Sequence, residues 1–269
     1  MMIYRKLILT RANCHIIKIE AAVVDTMITQ DGERIAYYHL LGRKPCIMFC
    51  GGFMSDMTGT RSMALEKFAR KRGQAFTRFD YRGHGQSSGL FCEGNISKWK
   101  KDAITVLDSL TSGPVVLVGS SMGGWIALLI ALARPERIVG IVGVAAAPDF
   151  TEDLMWAKFE ENIRHTLVTE GVYLENSDSF DEPYIITMDL IEDGRNHLIM
   201  REPIQIKAPV RLLHGMRDTS VPYQLSIILA DRLESEDVQV HLVKDGGHRL
   251  LNDSDLTLLM RATSDLLEV

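Results

Sequence analysis

The chain has 269 residues, a net charge of -5 and an apolar fraction of 46%. This length fits one large α/β domain with an insertion, and a charged fraction of only 24% is not that of a disordered chain. With no long run of Lys or Arg and no apolar stretch of about 18 residues, the sequence predicts neither nucleic-acid binding nor a membrane span.

Residues 1–20 are predicted to form an N-terminal extension. Residues 1–19 contain Arg5, Lys6, Arg11 and Lys18 and no acidic residue. Both targeting segments and short basic leaders have this composition. We therefore expect a cytoplasmic protein, with mitochondrial import as the alternative if the source is eukaryotic.

The four cysteines are not arranged as paired zinc-binding motifs, so we expect no metal. Cys46 and Cys50 fall in an apolar run and are predicted to be small core residues. A reducing compartment is the simplest interpretation of this cysteine pattern.

Apolar runs that alternate with helical patterns predict a mostly parallel sheet covered by helices on both faces. Residues 21–29 and 33–41 flank Asp31-Gly32, a pair typical of a hairpin turn, so the sheet is predicted to begin antiparallel. Six further strands are predicted, which brings the sheet to eight: 46–50, 75–81, 115–119, 138–144, 210–214 and 238–244.

Two helices are predicted with defined faces. Residues 96–110 place apolar side chains on one face at helical spacing, and residues 122–133 are apolar nearly all round, which predicts a buried helix that Pro135 ends. Residues 151–200 differ from the rest, because they carry twelve acidic and three basic residues and scattered aromatic residues. We interpret them as a small helical cap inserted into a domain that spans 21–269.

The motif Gly119-Ser120-Ser121-Met122-Gly123 has the form G-x-S-x-G between a predicted strand and a predicted buried helix. This context is that of a nucleophile elbow, in which a sharp turn exposes a serine hydroxyl at the edge of the sheet. Gly119 and Gly123 leave space for the turn. The sequence predicts Ser121 as the nucleophile, with Ser120 as the rival.

A serine hydroxyl needs a base that removes its proton and an acid that orients this base. His248 follows the last predicted strand and is the predicted base. Of the alternatives, His214 ends a strand and is predicted to be a packed, hydrogen-bonded residue, and His84 comes too early in the chain. Asp218 follows the strand 210–214 and is the predicted acid, with Asp149 as its rival.

An oxyanion hole needs two backbone N–H donors. The first is predicted at Met122, directly after the nucleophile. The second is predicted at Phe53, in the glycine-rich loop after the strand 46–50.

The order Gly52-Phe53, 119–123, Asp218 and His248 resembles the α/β-hydrolase superfamily over residues 21–269. The segment 79–89 is similar to the loop that follows a strand in that superfamily. Segments 119–125, 133–137 and 211–218 are similar to one branch, the mitochondrial palmitoyl-protein thioesterases that also hydrolyse acyl glucuronides. Many members have His-Gly before the oxyanion residue, where this chain has Gly51-Gly52.

The resemblance implies a serine hydrolase that cleaves carboxylic esters or acyl thioesters through an acyl-serine intermediate and needs no cofactor. Its substrate would be a small ester, an acyl thioester or an S-acylated protein. Two alternatives stay open: an acyltransferase with the same triad, and a ligand-binding receptor on a hydrolase scaffold.

Overall fold

The computed structural model describes residues 24–175 and 183–268. The predicted extension over 1–20 and the aromatic residue Phe180 of the cap lie outside the described residues. The described strands are β1 (Asp25–Ile28), β2 (Arg34–Leu40), β3 (Arg43–Cys50), β4 (Gln74–Phe79), β5 (Val115–Ser120), β6 (Ile138–Val144), β7 (Val172–Glu175), β8 (Tyr184–Thr187), β9 (Val210–Gly215) and β10 (Val238–Val243).

Eight of these strands form the central sheet, in the order β1-β2-β4-β3-β5-β6-β9-β10. β2 pairs antiparallel with both β1 and β4, and every other neighbouring pair in this sheet is parallel. The predicted eight-stranded, mostly parallel sheet that begins with a hairpin is therefore confirmed. The central strand β5 is buried along its whole length, because helices cover both faces of the sheet.

The helices are α1 (Thr60–Arg72), α2 (Ile96–Leu110), α3 (Met122–Ala133), α4 (Glu161–Glu170), α5 (Met188–Arg195), α6 (Gln224–Arg232) and α7 (Asp253–Asp265). Apolar side chains of α1 and α7 pack into the core on one face of the sheet, and those of α2, α3 and α6 pack into the core on the other. α2 and α3 have the predicted bounds. The structure adds α1, which the sequence pattern did not predict.

Between β6 and β9 the chain leaves the sheet and forms α4, the antiparallel pair β7–β8 and α5. The helical character predicted for this segment is present in α4 and α5, whereas the β7–β8 pair was not predicted. All four residues of β7 and three of the four residues of β8 are exposed or half-buried. Only Ile186 of β8 is buried. Such short and mostly exposed strands lack the apolar alternation that a sequence pattern needs.

Helix α5 docks on the first turn of α2 through two carboxylates. Asp189 accepts a hydrogen bond from the Asn95 side chain at 2.8 Å, and Asp193 accepts from the backbone N–H of Ser97 at 2.8 Å and from its hydroxyl at 2.5 Å. Acidic groups are favourable at a helix N-terminus, where backbone N–H groups lack intrahelical partners. These bonds fix one side of the cap segment to the sheet-covering helices.

Candidate active site

Ser121 lies at the turn between β5 and α3, with φ 54° and ψ −120°. This is a left-handed backbone conformation that non-glycine residues rarely adopt. A Cβ atom at Gly119 would overlap the backbone of Gly123, and one at Gly123 would overlap the carbonyl of Cys50. The two glycines therefore let α3 approach β3 and β5 closely enough to form the predicted elbow geometry.

The two serines of the elbow differ in their surroundings. Ser120 is buried, and its Oγ accepts a hydrogen bond from Nη1 of Arg61 at 2.7 Å. Ser121 is half-buried at the start of α3. Of the two hydroxyls, the one at Ser121 has the elbow conformation and the exposure that a nucleophile needs.

His248 and Asp218 meet on two loops at the carboxyl end of the sheet, after β10 and β9 respectively. Nδ1 of His248 donates to Oδ2 of Asp218 at 2.7 Å. The Asp218 side chain is fully buried and that of His248 is 29% exposed. With its Nδ1 proton held by the carboxylate, the imidazole presents an unprotonated Nε2, which is the arrangement of a general base.

Asp218 is fixed by further donors. Its Oδ1 accepts from the backbone N–H groups of Ser220 at 2.9 Å and Val221 at 2.8 Å, and its Oδ2 also faces Nε2 of His214 at 3.2 Å. Burial raises the pKa of this carboxyl, but the hydrogen bonds from His214, His248 and Val221 outweigh it and hold the pKa well below its ordinary value. Asp218 is therefore a carboxylate at neutral pH.

His214 is fully buried, which agrees with its prediction as a packed residue, but it also supports the acid. Its Nδ1 lies 2.7 Å from the hydroxyl of Ser226, and its Nε2 lies 3.0 Å from the carbonyl of Val221 and 3.2 Å from Asp218. The two acceptors at Nε2 place the proton there. The only signal in the sequence that His214 supports Asp218 is that the two residues lie four positions apart.

The loop 51–59 passes over the nucleophile. A Cβ built on Gly52 would lie 3.6 Å from Cβ of Ser121, so the glycine allows this close approach. Phe53 follows, and its N–H donates to no acceptor within 24–175 and 183–268. Met122 is the first residue of α3, where a backbone N–H has no intrahelical acceptor. Of the two predicted oxyanion donors, Met122 directly follows Ser121, and Phe53 directly follows the glycine that approaches it.

His84 is not a base for Ser121 but a support for this loop. Its Nε2 accepts the N–H of Met54 at 3.2 Å, and its Nδ1 lies 3.2 Å from the carbonyl of Arg82, so the proton is on Nδ1. Burial lowers the pKa of His84 from 6.5 to about 4. A neutral ring is required, because only a neutral Nε2 can accept the Met54 N–H.

The rival acid Asp149 serves a different purpose. It is fully buried beyond β6, and its carboxylate accepts from the backbone N–H groups of Ile199 and Met200, each at 2.9 Å. These bonds attach the end of the segment 151–200 to the sheet. The acid that the structure brings to His248 is Asp218.

An aromatic cluster lies beside the oxyanion loop. The ring of Phe53 is 4.8 Å from that of Phe91, 5.9 Å from Trp99, 5.8 Å from Phe150 and 5.9 Å from Tyr184, between ring centroids. Trp99 and Phe150 are buried, whereas the other three keep part of their surface accessible. The cluster joins the sheet domain to the segment 151–200 through Tyr184.

Two further properties of the described residues concern metals and membranes. No group of three or more histidine, cysteine, aspartate or glutamate side chains is arranged there to hold a metal ion. Among the same residues, no helix combines the length and the apolar character needed to cross a membrane.

The fold and this arrangement define a serine hydrolase of the α/β type. Residues 43–181 match the family described as serine aminopeptidase S33, and the chain belongs to the α/β-hydrolase family that contains it. The predicted family and the predicted hydrolase activity are confirmed.

The relatives are more specific. The chain is 38% identical to the mitochondrial palmitoyl-protein thioesterase ABHD10 of Bos taurus and 40% identical to that of Mus musculus, over 88% and 87% of this chain and 78% and 79% of theirs. Among solved structures, mouse α/β-hydrolase domain-containing protein 10 has a TM-score of 0.85 at 36% identity, covering 92% of this chain and 99% of its own. A hydrolase from Agrobacterium vitis S4 has a TM-score of 0.87 at 37% identity, covering 91% and 99%.

Replacing the buried acid tests its assignment. Asp218→Asn should keep the fold and lower kcat about 10⁴-fold, because an amide no longer fixes the required tautomer of His248 or balances its charge. The measurement is kcat on a p-nitrophenyl ester, with circular dichroism as the folding check. Asp149→Asn is the matched control and should lower the unfolding temperature while it keeps most of kcat. A larger loss of kcat in Asp149→Asn would contradict the assignment.

The neutral state of His84 predicts a pH dependence of stability. Between its folded pKa of about 4 and an unfolded value near 6.5, the unfolded chain binds a proton that the folded chain does not. His84 therefore lowers the free energy of unfolding as pH falls through this window, by at most about 1.4 kcal/mol per pH unit. In urea titrations from about pH 7 to about pH 4.5, His84→Gln should make this decline shallower. An equal decline in both proteins would show that His84 does not remain neutral.

Proposed function

We propose that this protein hydrolyses acyl thioesters and carboxylic esters of apolar acyl groups, with Ser121 as nucleophile, His248 as base and Asp218 as the orienting acid. The observation that carries the proposal is the 2.7 Å hydrogen bond from the His248 imidazole to the buried Asp218 carboxylate, found together with a serine in the elbow conformation. This combination has a defined chemical use, since the imidazole can remove the Ser121 proton as the hydroxyl attacks.

The mechanism follows from these positions. Oγ of Ser121 attacks the carbonyl carbon of the substrate, and Nε2 of His248 takes its proton. The negative charge on the substrate oxygen is stabilised by the N–H groups of Phe53 and Met122, each worth about 3 kcal/mol in the transition state. His248 then protonates the leaving thiolate or alkoxide, which gives an acyl-serine. Water activated by His248 hydrolyses this intermediate and regenerates Ser121.

The aromatic cluster around Phe53 supports an apolar acyl group. An acyl chain that lies against Phe53, Phe91 and Tyr184 would bury apolar surface on both sides, at about 25 cal/mol per Å². The names of the relatives, palmitoyl-protein thioesterases, agree with a fatty-acyl substrate. We therefore infer a fatty-acyl thioester, including one on an S-acylated protein, as the substrate class.

Residues 151–200 are proposed to act as a cap over the aromatic cluster. Tyr184 contributes to the aromatic cluster, and α5 attaches to α2 through Asp189 and Asp193. The cellular location stays a prediction: the relatives carry "mitochondrial" in their names, which agrees with the import alternative for residues 1–19.

The nucleophile is tested with a fluorophosphonate probe, which modifies an activated serine. Ser121→Ala should abolish labelling and lower kcat by about 10⁵- to 10⁶-fold. Ser120→Ala keeps the nucleophile and should still be labelled on Ser121, as mass spectrometry of the labelled peptide would show. Labelling of Ser121→Ala at the wild-type rate would reject the triad, and an unlabelled wild-type protein would favour the receptor alternative.

The substrate class is tested with matched S-acyl and O-acyl substrates from acetyl to palmitoyl. We expect kcat/KM to rise with chain length, and Phe91→Ala to reduce it about 10-fold for long chains and little for acetyl, because only long chains reach the cluster. Phe68→Ala, on the opposite face of the sheet, is the matched control. An optimum at acetyl with no activity on long-chain thioesters would leave a small-ester carboxylesterase instead.

A further inference from the structure

Arg61 lies between the two halves of the site and was not among the residues that the sequence analysis identified. It is the second residue of α1, directly after the oxyanion loop, and its side chain is directed toward the elbow. Nη1 donates to Oγ of Ser120 at 2.7 Å, and Nη2 donates to the carbonyl of His248 at 3.3 Å and to the carbonyl of Arg249. One guanidinium thus joins the residue before the nucleophile to the residue that carries the base.

The surroundings of this guanidinium are costly for a cation. Within the described ranges no carboxylate forms an ion pair with Arg61, and its buried Nε has no hydrogen-bond partner there. Burial, followed by the charge of Arg249, lowers the pKa of Arg61 to about 10, while the charges of Asp218 and Asp255 act in the opposite direction. Arg61 is half-buried, and the partial desolvation of its cation costs free energy that the neighbouring groups have to offset. Fold stability alone is therefore an incomplete explanation for an arginine at this position.

The three acceptors of Arg61 have one feature in common, which is that they all belong to the elbow or to the base loop. His248 is held by its ring through Asp218, and the backbone of the loop is held two residues earlier, where the carbonyl of Gly246 accepts from the N–H of Arg217 at 2.9 Å. Carbonyls bound at 248 and 249 fix that backbone at the residue itself. The planar fork of arginine donates from two separate nitrogens in a fixed geometry, whereas the donors of an ammonium group all lie on one nitrogen.

We propose that Arg61 is a positioning residue, which keeps the base loop at 248–249 in register with the nucleophile elbow through Ser120. The proposal rests on the triad proposed above. It predicts that loss of Arg61 slows the chemical step, because a misplacement of about 1 Å in a reacting group can cost about 100-fold in rate. The aromatic cluster proposed to bind the acyl group is formed by other residues, so KM should change little.

The test compares Arg61→Met, Arg61→Lys and Arg61→Ala with Arg72→Met, a control on the same helix whose partners Ser264 and Glu268 lie on α7 and after it. Arg61→Met should lower kcat and the fluorophosphonate labelling rate about 100-fold at unchanged KM. Arg61→Lys should be intermediate, and low-millimolar guanidinium chloride should restore part of the activity of Arg61→Ala. Arg72→Met should keep the wild-type kcat.

Three outcomes would overturn the proposal: a wild-type kcat in folded Arg61→Met, a loss that only follows the folded fraction seen by circular dichroism, or a loss that appears in KM instead of kcat. If Arg61→Met does not fold, Arg61→Lys decides, since full kcat in that variant would remove the need for the fork. A wild-type protein that the probe does not label would instead reject the triad. Labelling of Ser121 that Arg61→Met leaves unimpaired would reject only the role of Arg61.

Discussion

Ser121 has a left-handed backbone conformation between a buried strand and a buried helix, and such a conformation costs about 1–3 kcal/mol. The surrounding backbone offsets this cost. The N–H of Ser121 donates to the carbonyl of Val144 at 2.9 Å, and its carbonyl accepts from Gly124 at 2.9 Å and Ala147 at 3.1 Å. The end of β6 therefore holds the elbow in its strained state. Because this backbone fixes the position of the Ser121 hydroxyl, the other proposed catalytic groups have to be placed relative to it.

Those other groups are held from different parts of the chain. Asp218 orients the imidazole ring of His248, and His84 binds the N–H of Met54 directly after the oxyanion residue. Each contact joins two loops that come from different parts of the chain. Catalytic groups have to be kept within about 0.5 Å of their working positions, so polar contacts between loops are as necessary here as the triad itself. This need accounts for buried histidines that take no part in the proton transfer.

The sequence was most informative where a pattern is local. The runs at 115–119 and 138–144 and the helices at 96–110 and 122–133 have apolar side chains at a regular spacing, and the structure has strands and helices there. Helix α1 was missed because two of its four buried residues, Ser62 and Glu66, are polar, so no apolar stripe marks it. The contacts of Arg61 with 248 and 249 span 187 and 188 positions, and no local pattern encodes them.

Phe53 connects the catalytic site to the cap segment, because it contributes both its backbone and its side chain. Its N–H is the proposed oxyanion donor, while its ring contacts those of Phe91, Phe150 and Tyr184. A movement of Tyr184 with the segment 151–200 would act on the ring and, through the same residue, on the oxyanion donor. An acyl chain seated against the ring would do the same. Binding energy from the acyl group could thus be used to position the N–H that stabilises the transition state, which raises kcat and not only affinity. This coupling requires no additional element, since one residue belongs to both parts of the site.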